Sequence, residues 1–152
     1  MPFPQTFARS AVLAVALALA GSGCREGPTG PEAGLAAARA RWARRGPGAY
    51  TITVFRLCLC PRETSEPVAV TVRRGAATIR VYAGSGAPVP AQYADAFPTV
   101  DALFAMIEAG ARAGTRPIQA SYNASLGYPT RVAVGDPATD APVYVANELR
   151  PR

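Results

Sequence analysis

A ten-residue apolar run, Ala11 to Ala20, bounds the fold, because the small residues Gly21, Ser22 and Gly23 and then Cys24 follow it directly. Arg9 supplies the charge ahead of the run. A charged start, a short apolar core and a small-residue cleavage region form the pattern of an export signal. A bilayer span needs about 20 apolar residues, twice what this run offers. Residues 1–23 are therefore expected to be a signal peptide. Their removal leaves 129 of the 152 residues, enough for one ordinary domain and a tether but not for two substantial cores.

Cys24 resembles the lipidated cysteine of bacterial lipoproteins, and two acyl chains on one residue would anchor it stably where a single chain would not. The polar, Gly/Pro-rich run CREGPTGP at 24–31 reads as a flexible tether. A single domain is expected over 32–149. The implied location is outside the cytoplasm, on the bacterial cell envelope, with the membrane as a partner through the N-terminal lipid.

After the signal, fifteen arginines face ten acids, a formal +5, and the chain has neither lysine nor histidine. The arginines are dispersed, and no nucleic-acid-binding motif is recognisable, so nucleic acid is not an expected partner. Anionic headgroups or acidic polymers fit the charge better. The lack of histidine removes the usual base near neutral pH and the commonest metal ligand. No metal, cofactor or catalytic residue is assigned.

Periodicity places a helix over Glu32–Arg45, with Leu35, Ala38 and Trp42 on one side, stopped by Gly46-Pro47-Gly48. Tyr50–Cys60 reads as a strand. Tyr50, Ile52 and Val54 share one face, and Phe55, Leu57 and Leu59 the other, so either both faces are covered near Phe55 or a bulge resets the register. Pro67–Arg73 and Ala77–Tyr82 read as a hairpin, with Val68, Val70 and Val72 inward and opposed by Ala77, Ile79 and Val81. A second helix, Val100 to about Ala113, is capped by Thr99 and carries the stripe Val100, Leu103, Phe104, Ile107 and Ala111. A strand begins at Ile118–Tyr122, is interrupted at Ser125–Pro129 and resumes at Thr130–Val134; Pro142–Asn147 is the last. The expected architecture is α+β: two helices packed on one face of a mostly antiparallel sheet of about five strands, a two-layer sandwich.

Cys58 and Cys60, in Leu57-Cys58-Leu59-Cys60, point the same way if the strand is extended. Export to an oxidising compartment favours a disulfide between them. A structural bridge, a redox pair, a metal site and free thiols all remain open. A metal site would lack further ligands, and a redox pair would be helped by a cation, for which Arg56 and Arg62 are close in sequence.

The chain resembles a family of small bacterial lipoproteins catalogued as domain of unknown function 6174. The resemblance rests on Trp42 ahead of a Tyr-containing strand, Cys58-Leu59-Cys60, the valine strand with Arg74-Gly75, and PTVDALFAMI at 98–107. It continues through SYNASLGYPTRVAV at 121–134 and Asp140 before the final strand. It spans roughly Arg39 to Leu149 and implies no activity. The family often has an aspartate where this chain has Asn123, and an acid where it has Pro142 and Val143.

Gly127-Tyr128-Pro129 reads as a shaped turn, with a peptide- or glycan-binding rim of Tyr122, Asn123 and Tyr128 as the functional alternative. Three functions follow. The first is a non-catalytic binding or structural module that engages an envelope protein or surface polymer. The second is a thiol–disulfide redox protein using Cys58 and Cys60. The third is a carboxylate hydrolase using Asp95, Asp101 or Asp140.

Overall fold

A computed structural model describes residues 31–139 and 141–152. The expected signal peptide, Cys24, most of the tether and Asp140 lie outside them. Helix α1 (Pro31–Arg45) leads into strand β1 (Ala49–Leu57) and a single helical turn, α2 (Arg62–Ser65). Strands β2 (Val68–Arg73) and β3 (Ala76–Tyr82) follow, then helix α3 (Val100–Arg112) and strands β4 (Ile118–Tyr122), β5 (Pro129–Val134) and β6 (Val143–Pro151). All neighbouring strands are antiparallel, in the order β3-β2-β1-β6-β5-β4. The α+β layered architecture is as expected, with six strands among the described residues rather than about five. The sixth arises because the interruption after Tyr122 is a hairpin loop. Gly127 turns it at φ 87°, and the Asn123 side-chain oxygen accepts from the Ser125 and Leu126 amides. Among the described residues no helix is long and apolar enough to cross a membrane.

The core lies between the helices and one face of the sheet. Tyr50, Ile52 and Val54 of β1, Val68, Val70 and Val72 of β2, and Val132 and Ala146 are buried there against Ala38 and Trp42 of α1 and Val100, Leu103, Phe104 and Ile107 of α3. Alternation in the strands and three-to-four spacing in the helices bring these side chains together. Trp42 meets Tyr50 edge-on at 5.4 Å and Tyr128 at 6.2 Å. Gly110 is the next buried position of α3 after Ile107, and a Cβ there would collide with Val134. The Thr99 hydroxyl caps α3 by accepting from the Ala102 amide at 3.2 Å. Arg39 joins the helices, pairing with Asp101 at 2.8 Å while its guanidinium lies over the Phe104 ring.

Two inward assignments change. A register shift between Thr71 and Val72 pairs Val72 with Ala77 but Thr71 with Ile79. Beyond this bulge Arg80 and Tyr82, not Ile79 and Val81, oppose the inward valines, and Ile79 is 55% exposed. Arg80 is accommodated because its Nε donates to the Phe97 carbonyl. Of the two alternatives for β1, covering of both faces does not extend to its far end, where Leu57 is 47% exposed. The bulge that does exist is on β6 opposite Ile52, where Glu148 takes φ 52°.

Candidate functional site

Strand β1 outruns its neighbour. Its pairing with β2 ends at Val54 and Val68, while pairing with β6 continues to Leu57 and Val143. The chain then bends, so Cys58 and Cys60 lie beyond the strand and not within it as the alternation suggested. A bend brings side chains two apart closer than a flat strand does, and the pair is joined by a disulfide with Cα atoms 5.2 Å apart. Pro61 follows, and its carbonyl accepts from the Thr64 amide and the Thr64 and Ser65 hydroxyls, which fixes the turn α2.

Both cysteines are partly exposed, and the Leu59 side chain between them is 93% exposed. The bridge joins no two elements of the fold. Closing a ring across one residue removes only about 1.6 kcal/mol of unfolded-chain entropy, half the value for a fifteen-residue loop. A bond of this kind shapes a corner and presents its sulfurs. Arg62, one of the two cations near in sequence, is paired with Glu66. The other, Arg56, lies over the Tyr144 ring at 5.7 Å, with its Nε buried and lacking a hydrogen-bond partner.

The proposed rim residues are drawn into the fold. Tyr128 is buried beneath Trp42, and Tyr122 stacks on Phe104 at 6.2 Å. The Tyr122 hydroxyl is buried without a partner, and burial pushes its pKa up. Asn123 spends its side-chain oxygen on the loop. Tyr122, Asn123 and Tyr128 therefore serve the α1 contact and the β4–β5 turn instead of presenting one exposed surface.

Among the described residues the candidate carboxylates are not gathered. Asp101 is engaged by Arg39, Asp95 is exposed on the 3-10 turn Ala91–Ala96, and Asp140 is outside the described residues. Among the described residues no three His, Cys, Asp or Glu side chains are grouped to hold a metal. Sequence reasoning missed the exposure around the cysteines. The available signal was Pro61, which cannot donate to a ladder and so marks the end of strand pairing before it.

Residues 34–151 match a family model described as a family of unknown function, DUF6174. No curated protein and no solved structure matches the chain.

Proposed function

The chain belongs to the DUF6174 family, whose function is unknown, and from its own chemistry we propose that it is a thiol–disulfide exchange module acting through Cys58 and Cys60. The observation that carries this is the bridge itself: partly exposed, closed across a single residue, and linking no separate elements of the fold. A thiolate of a dithiol substrate attacks one sulfur of the pair and forms a mixed disulfide, and the displaced cysteine sulfur takes up a proton. The second substrate thiolate then attacks the mixed disulfide. The substrate leaves oxidised, and Cys58 and Cys60 hold the two electrons and two protons as thiols. The exposed Leu57 and Leu59 beside the bridge give an approaching chain apolar contact. In this reading Cys24 is the mature N-terminus, lipid-anchored outside the cytoplasm, where an oxidising environment maintains the disulfide. The apolar run and the small residues before Cys24 support that location.

The test incubates the oxidised protein with a dithiol peptide and quenches by alkylation. Stoichiometric appearance of Cys58 and Cys60 thiols with oxidised peptide is expected. A variant lacking one cysteine should trap the mixed disulfide when presented with an activated peptide disulfide. A bridge inert to the dithiol over hours rejects the proposal. The second reading is a non-catalytic envelope-binding module, favoured by the exposed arginines Arg73, Arg150 and Arg152, which the β2-β1-β6 order brings near one another.

A further inference from the structure

The face of the sheet turned away from the helices carries a charge cluster remote from the cysteines. On β1, Thr51 and Thr53 point to this side, opposite the buried Tyr50, Ile52 and Val54. Arg73 pairs with Ala49 on one flank of β1, and Arg150 pairs with Thr51 on the other. The Arg152 amide donates to the Ala49 carbonyl, and its Nε donates to the Thr51 hydroxyl at 2.7 Å. That hydroxyl is in turn 3.2 Å from the Thr71 hydroxyl. Three exposed arginines thus bracket the first residues of β1, and Glu148 lies 3.7 Å from one of them, Arg150.

Beside them is a shallow cavity of about 250 Å³, lined by Thr51, Thr53, Ala69, Val81, Glu148 and Arg150 among others. Hydroxyls, small apolar side chains, the Glu148 carboxylate as an acceptor for sugar hydroxyls and the Arg150 guanidinium beside it together match the mixed hydroxyl, C–H and acid surface of an acidic sugar. Arg73 and Arg150 stand on strands two spacings apart, about 10 Å, a span that successive anionic groups of one chain can bridge. A cluster of like charges repels itself, and a chain of regularly spaced anionic groups relieves that repulsion at every arginine. We propose that this open face binds an acidic polysaccharide, with one sugar in the cavity and neighbouring acidic groups against Arg73 and Arg152. This site is independent of disulfide exchange, since neither cysteine lines the cavity or belongs to the arginine cluster.

Binding of the purified full-length protein to polygalacturonate is the test, with neutral dextran and polyphosphate as comparison polymers. Polygalacturonate should bind more tightly than polyphosphate, dextran should not bind, and affinity should fall as salt rises. The Arg73→Gln/Arg150→Gln/Arg152→Gln variant should lose at least tenfold in affinity, while Arg112→Gln, at the end of α3, should lose less than twofold. Thr53→Phe, which fills the cavity and keeps every charge, should abolish the preference over polyphosphate. Single Arg152→Gln replacement serves if the triple variant melts early. No binding to polygalacturonate, binding indifferent to the arginine replacements, or equal affinity for polyphosphate in the native protein would overturn the proposal.

Discussion

The Tyr50 hydroxyl accepts a hydrogen bond from the Val100 amide at 3.2 Å in the buried interior, tying the first strand to the first turn of α3. The amide is one of those a helix leaves without an internal partner, so a strand side chain completes the helix. Burial, opposed by that hydrogen bond and reinforced by the Asp101 charge, pushes the Tyr50 pKa up to about 12.

Tyr50→Phe should cost about 1–3 kcal/mol in denaturant melts, because it leaves a buried N–H without an acceptor. The neutral phenol is the form the fold favours. Its contribution is complete below the unfolded value of about 10 and is lost as pH rises from there through about 12. Stability should fall over that window, and part of the fall should be missing in Tyr50→Phe. Parallel alkaline profiles for the two proteins would contradict the assignment.

Phe104 is fully buried, with Tyr122 stacked on one side and the Arg39 guanidinium over its ring. Phe104→Ala should cost about 3–5 kcal/mol, read by urea titration. A loss under about 0.5 kcal/mol would place this ring outside the core.

Gly127 combines a positive φ with close approach to α1: a Cβ would lie 2.9 Å from that of Arg41 and nearer still to the Ala38 carbonyl oxygen. Gly127→Ala should lose at least about 2 kcal/mol, from left-handed strain of about 1–2 kcal/mol plus the displacement of α1. Thermal melts give the comparison. An unchanged midpoint would mean that α1 moves aside freely.

The layered fold was legible wherever one residue sets one face. The valines of β2 and the stripe Val100, Leu103, Phe104 and Ile107 are buried as their spacing requires. Local departures from period were not legible. The bulge at Thr71 and Val72 reverses the faces of Ile79 and Val81, and it depends on how two strands pair rather than on either strand alone. The cysteine pair was visible as residues, but its placement was not, because Leu57 and Leu59 read as an apolar strand face and are instead exposed. The arginine face was invisible for a related reason. Arg73, Arg150 and Arg152 are distant in sequence and meet only through the β2-β1-β6 order.

Reducing the bridge should leave the fold standing. The ring closes over so few residues that its loss should lower stability by less than about 2 kcal/mol, and hydrogen exchange should quicken chiefly at Leu57 and through the 61–66 segment. Global unfolding on reduction would show that the bond holds more than its corner.

The reduction potential of the Cys58–Cys60 pair tests the exchange proposal most directly. Equilibration of the purified protein in glutathione redox buffers, with alkylation and mass analysis of each state, gives the value. A bridge with little ring entropy and accessible sulfurs should equilibrate readily and fall in the range of catalytic pairs, about −120 to −270 mV. A potential below about −300 mV, the range of structural disulfides, or a pair that fails to equilibrate would contradict it.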